Sequence, residues 1–510
     1  MATMWQTFPI QFKGGLISNL SPLQHGMTSI GSGAILQNFE PSLSGGYKKV
    51  LGYEKLINSE VTGNGTVQGI AAVDSSKVIA VRDGTYYEAD SSSGTPVWTS
   101  LATASNTTFT KTRKEVYNFT GTEKIVFTDG LNYPAYYESG SLTFLTGSGI
   151  GESNVAGASV ALLYKSTLFF AVGTELVFTA PYDDTNFNPA DGAGVINVAS
   201  TITGLAVYRD NLIIFCADRI LKLVGSSSAD FSLSSLTSAL GCLETDSIRE
   251  VGGDVMFLAP DGLRTLSSTE RIGDFGLDVA SKPIKNTLDE LLKGTVSAHS
   301  YVIRKKGQYR LFVYSNNIRD SVSKGLIATK FIDQGGEGFQ WATLKGFKVH
   351  VADSILVGDV ELIYFANDDG YVYKQEVGST RDSGSIEAIY ESAFMPIVDP
   401  QIRKTFYKLD TYIKPEGSFT CDVSLKLDRN EPNVIQPQPV TLSGSGGGFV
   451  YGDSGSVFGT TLYSTPGDQT FFNNIIGSGT TVALRIEDNS TNASFTLDTA
   501  VLEFSTNERR

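Results

Sequence analysis

Apolar and polar residues alternate along most of this chain in short runs, and the runs are separated by turns rich in Gly, Asp and Asn. Alternation with period two predicts half-buried strands, and such turns predict hairpins, because Asp, Asn and Gly tolerate the positive φ that matches strand twist. The same unit occurs twice in succession, as ITGLAVYRDNLIIFCADRILKL (Ile202 to Leu223) and IREVGGDVMFLAPDGLRTL (Ile248 to Leu266). In each, an apolar run meets a polar turn (Tyr208 to Asn211, then Gly252 to Asp254), a strand, a two-residue turn (Ala217-Asp218, then Asp261-Gly262) and a further strand. The pattern predicts a three-strand antiparallel meander. A single copy cannot cover both of its own faces, so copies must stack.

Comparable turns occur at Asp83-Gly84, Asp129-Gly130, Gly173-Thr174, Lys306-Gly307 and Asp369-Gly370. Taken with Ala217 and Asp261, their first residues are spaced by 46, 44, 44, 44, 45 and 63. A repeat of about 40–45 residues carrying about four strands is the mark of a β-propeller blade. The expected fold is therefore all-β, a six- or seven-bladed propeller over residues 61–385, with an insertion or merged units in the long last step. Residues 1–60 lack the pattern and read as an extended N-terminal arm, able to supply a closing strand or to reach a neighbouring subunit. One helix is expected from a cap at Ser281, through Ile284, Leu288, Leu291 and Leu292, to Gly294, with its apolar stripe on the propeller rim. Residues 386–510 read as a small C-terminal β-sandwich. Thr405 to Leu427 and Val482 to Phe504 alternate like two hairpins, joined by Gly-, Ser- and Pro-rich loops from about 430 to 480.

Composition narrows the function. Asp plus Glu (54) exceed Lys plus Arg (40), giving a net charge of −14, opposite to what tight binding of nucleic acid requires. Only Cys216, Cys242 and Cys421 are present, with no CxxC spacing, so neither a disulfide framework nor a thiolate metal site is indicated. His25, His299 and His350 lie far apart in sequence. The acidic loop Tyr182 to Gly194 lacks calcium-loop spacing. GxSxG, Walker A and GxGxxG motifs do not occur, and the nearest approach to a sialidase Asp-box, Ser91 to Trp98, has no Asp. The reading assigns no catalytic, cofactor-binding or metal-ligating residue. No secretory signal is evident at the N-terminus, and the apolar run Val160 to Val172 is broken by Lys165, so a soluble chain made in the cytoplasm is expected. Asn106 and Asn118 match the glycosylation pattern and read as loop residues.

Four strings stand out: the arm NFEPSLSGGYKKVLGY (Asn38 to Tyr53), the loop FTAPYDDTNFNP (Phe178 to Pro189), the repeat SIREVGGDVMFLAPDGLRTL (Ser247 to Leu266) and the ending LEFSTNERR (Leu502 to Arg510). With these strings the chain resembles the tail nozzle or tail hub proteins (tail tubular protein B) of short-tailed bacteriophages. The resemblance implies a structural virion protein, not an enzyme. It implies a homohexameric ring below an adaptor protein, extending the channel through which genomic DNA leaves, with fibres or receptor-binding proteins nearby. An acidic balance suits a conduit that must not hold the duplex. A propeller-type carbohydrate-active enzyme or lectin is the alternative, and it would place carboxylates or aromatic rings in the central funnel.

Overall fold

The computed structural model describes residues 5–108, 110–271, 279–293, 296–315, 324–333, 336–446 and 469–507. The chain is all-β, built from many small antiparallel sheets in a propeller-like arrangement. Seven successive sheets are numbered here by their first strands: one at Gly69–Ala72, two at Arg113–Tyr117, three at Val160–Tyr164, four at Ile202–Tyr208, five at Arg249–Val251, six at Val296–Ile303 and seven at Val351–Val357. Each runs up and down in sequence order.

The second strand of sheet four, Asn211–Cys216 (NLIIFC), shows why the chain folds this way. A continuous apolar run can be buried on both faces. Leu212, Ile214 and Cys216 join the core shared with sheet three, while Ile213 and Phe215 join the core shared with sheet five. The same division repeats between sheets one and two and between two and three. Sheet seven in turn packs on sheet one, where Tyr364, Ala366 and Val372 meet Ile70, Val78 and Ala80.

The turn series is correct in kind but not in every register. Asp83 and Gly84 both have positive φ and close a two-residue hairpin, as expected for mirror-image turns. Lys306-Gly307 is out of phase, because it joins the first and second strands of its sheet where the other turns join the second and third. The additional length before Asp369 lies in the long strands Lys324–Asp333 and Gly336–Lys345. Those strands carry sheet six into a nine-stranded sheet. Gly33–Gln37 bridges Gly336–Lys345 to Ala388–Ser392, and Val482–Asp488, Ser418–Leu427 and Val440–Ser445 follow.

At the C-terminal end the alternation was read correctly and the pairing was not. Lys404–Pro415 and Ser418–Leu427 do not pair with each other, and neither do Val482–Asp488 and Phe495–Thr506. Each pair is an arch between two sheets. Lys404–Pro415 pairs with Phe495–Thr506, and Ser418–Leu427 with Val482–Asp488. The physical reason is burial: alternating residues of both sheets, such as Leu409, Ile413, Val423, Leu425, Leu484 and Ile486, close on one another as a single dry core. Part of the expected loop region, residues 447–468, lies outside the described residues.

The N-terminal residues are woven into both regions. Gln6–Gln11 pairs with Phe495–Thr506, Tyr47–Lys49 extends the same six-stranded sheet, and Tyr53–Lys55 adds a fourth strand to sheet seven. A helix at Pro22–Thr28 was not expected. The helix anticipated after Ser281 is shorter, Lys285–Leu291, preceded by a 3-10 turn at Lys282–Ile284. Ser281 does not cap it; its Oγ instead accepts from the Leu263 N–H of sheet five at 3.0 Å. Gly294 lies outside the described residues. Ile284 and Leu288 pack against Leu16 and the apolar residues of three-stranded sheet five.

Candidate functional site

The first strands of the seven sheets line one cavity of about 550 Å³, the hub. A cleft of that size, where several elements converge, is the default place to look for chemistry. Its floor is braced by charge. Arg113 of sheet two grips Asp246, which leads into sheet five, through Nε to Oδ1 at 2.8 Å and Nη2 to Oδ2 at 3.0 Å. Lys111 adds a third contact to Asp246 at 3.0 Å and donates to the Ala298 carbonyl at 2.8 Å. Burial opposes ionisation of Asp246, but the charges of Arg113 and Lys111 outweigh it and hold its carboxyl well below the usual range. Glu244, nearby, is pushed the other way by burial.

Higher in the hub, Lys114 of sheet two pairs with Asp353 of sheet seven at 2.5 Å, and the Asp353 carboxylate also accepts the Ala72 N–H of sheet one at 2.7 Å. Glu115 accepts the Leu163 N–H at 3.0 Å and has no cation within ion-pair distance. Desolvation pushes its carboxyl up to about 7. A carboxyl near neutrality can exchange protons. Two other acids of the lining, Asp246 and Asp353, are paired with lysine and arginine, whereas the exposed Glu250 has no ion-pair partner among the described residues.

His299 is 6% exposed in the hub, and burial lowers its pKa to about 3, so the ring is neutral. His25 and His350 are elsewhere: His25 shares a hydrogen bond with Ser32, and His350 stacks on Tyr314. Cys216, Cys242 and Cys421 are free and buried; the Cys242 N–H donates to the Cys216 carbonyl at 2.9 Å, and Cys421 lies apart in the sandwich. In the acidic loop, Asp184 is engaged by Lys124 and Tyr117, and Asp191 by Asn186 and Asn188. Among the described residues no group of three or more His, Cys, Asp or Glu is placed to hold a metal ion. Trp98, at the end of the Asp-box-like string, donates to the Ser59 carbonyl. No described helix is long and apolar enough to cross a membrane.

The hub residues were not singled out from the sequence. The signal was present in weak form as KTRKE (Lys111 to Glu115), a charged cluster on the first strand of a repeat whose siblings there are apolar.

No family model matches the chain, and no curated protein matches it. Some solved structures are similar to it at low scores. PorZ, a bacterial surface component of the type IX secretion system of Porphyromonas gingivalis, is 12% identical over 68% of this chain and 43% of its own, with a TM-score of 0.38. This chain thus spans less than half the length of PorZ. An exo-β-1,3-galactanase from Phanerochaete chrysosporium is 10% identical over 89% of this chain and 100% of its own, with a TM-score of 0.28. The WD40 β-propeller domain of Doa1 is 11% identical over 63% of this chain and 96% of its own, with a TM-score of 0.26. At these scores none of the three lends its function to this chain.

Proposed function

We propose that the chain is a seven-bladed β-propeller with a C-terminal sandwich, acting as a structural tail nozzle or hub protein in the virion of a short-tailed bacteriophage. Sheet seven packing on sheet one supports the ring, and Tyr53–Lys55 completes its last blade. The observation that carries the functional reading is the brace across the hub. Two of the hub carboxylates are occupied in it, Asp246 by Arg113 and Lys111, and Asp353 by Lys114. Charges spent on one another stiffen a part and leave little for catalysis.

The hub is far too small to admit a duplex, so the DNA conduit belongs to a ring of subunits, six by the family resemblance. Its partners would be the adaptor above and fibres or receptor-binding proteins alongside. The carbohydrate-active alternative draws less support, since Tyr301, the phenol ring of the hub lining, is 2% exposed and offers no open face to a sugar. Electron microscopy of the purified chain, alone and with its adaptor, tests the reading. Six-fold rings with an open centre are expected, and a protein that stays monomeric under both conditions would overturn it.

A further inference from the structure

Two polar groups of the hub are left over from the brace. Arg249 of sheet five donates Nε to the Ser300 carbonyl at 3.0 Å and Nη1 to the Ile248 carbonyl at 2.8 Å, and no carboxylate pairs with it among the described residues. It is the cation of the hub wall whose charge is uncompensated. The second group is on His299. The Ala352 N–H, whose direction is fixed by the backbone, points at His299 Nε2 at 2.9 Å, while the Ala352 carbonyl lies 3.1 Å from the same nitrogen. A proton on Nε2 would collide with that N–H, so the neutral ring is assigned its proton on Nδ1. Nδ1 has no hydrogen-bond partner, and the side chain is more than nine-tenths buried. A buried donor left without an acceptor is unfavourable.

Beside these donors the hub wall changes character. Sheets three and four contribute Val160, Leu162, Leu205 and Val207, with no charged residue among them at the lining. A cationic, donor-bearing sector therefore adjoins an aliphatic one inside a cavity of about 550 Å³.

We propose that the hub binds a small organic carboxylate with an aliphatic body, of the medium-chain fatty acid type, its head on Arg249 and His299 and its chain along Val160, Leu162, Leu205 and Val207. The Arg249 guanidinium supplies the charge and the His299 Nδ1–H supplies direction. Glu250, the exposed middle residue of the same strand, also lines the cavity, where solvent screens its charge. Glu115, the other unpaired acid, is held partly neutral by its burial. This site does not depend on the virion role.

Isothermal titration of the full chain with octanoate, 1-octanol and acetate tests it. Octanoate is expected to bind with a Kd below about 1 mM, whereas octanol, lacking the charge, and acetate, lacking the chain, give no measurable heat. Arg249→Gln should weaken octanoate at least tenfold while circular dichroism remains unchanged. Val207→Asp, at a partly exposed wall position, should weaken it similarly without touching the head site. The proposal is overturned if octanoate fails to bind the unmodified chain, if octanol binds as well as octanoate, or if either variant retains full affinity.

Discussion

Lys49 Nζ lies 2.6 Å from Asp488 Oδ2, with the two side chains 0% and 1% exposed. Lys49 belongs to the six-stranded sheet and Asp488 to the nine-stranded one, so the pair spans the interior of the sandwich and ties the N-terminal arm to a strand near the other end of the chain. Removing one partner of a buried pair leaves an uncompensated charge, which costs about 3–5 kcal/mol, whereas replacing both by apolar residues of similar size is often neutral. Lys49→Met should thus lower unfolding stability by about that amount in urea titrations, and Lys49→Met with Asp488→Leu should recover most of it. A single variant as stable as the parent would show that the pair is not buried in solution.

The floor of the hub makes a similar statement about Asp246. Asp246→Asn leaves Lys111 and Arg113 facing each other without the anion, and a loss of about 3 kcal/mol is expected from thermal or urea unfolding. Because the folded carboxyl sits well below its ordinary value, its contribution is present above the unfolded pKa and is lost as pH falls through the folded one. The parent should therefore lose stability in acid more steeply than the Asn variant.

Glu115 works with the opposite sign. Its folded pKa of about 7 lies above the ordinary 4.5, so the folded chain holds the proton more tightly than the unfolded chain between those values. Stability then declines as pH rises from about 4.5 to 7 and is level above that, by roughly 3 kcal/mol in all. Glu115→Gln, which keeps the acceptor for the Leu163 N–H, should flatten that part of the profile and be the more stable protein at pH 8. An unchanged profile in the variant would assign the decline to another group.

Tyr53 anchors the strand that completes sheet seven, with ring centroids 5.0 Å from Phe365, 5.1 Å from Tyr373 and 5.5 Å from Phe347. Tyr53→Ala should cost about 2–4 kcal/mol through lost packing. It should also speed hydrogen exchange selectively in Val372–Gln375, the strand it holds against. Uniform exchange across all seven sheets would mean that the strand is not a separate closing element.

The repeats were legible because each blade writes its own local signal: a doubly buried run such as NLIIFC, flanked by turns whose residues accept positive φ. Pairings between distant segments were not. Alternation in Lys404–Pro415 and Ser418–Leu427 reports a buried face, but it is silent on which strand lies alongside, so neighbours in sequence were taken for neighbours in space. Sheet six misled for a related reason. Lys306-Gly307 has the chemistry of the other turns, and only tertiary pairing shows that it joins a different pair of strands. The hub was hardest to see, since Asp246, His299 and the Lys111–Arg113 pair come from three separate repeats and meet only when the sheets are arranged around them.

Gln6 faces Phe504 across a strand pair, so during synthesis the first of these strands has to wait for a partner made much later. The small sheets between them can form one after another as they emerge, but the sandwich cannot seal until Phe495–Thr506 has followed. Until then Ile10 and Phe12, both destined for the dry interior, lack the strand that covers them, and the nascent chain exposes apolar surface that the finished fold hides.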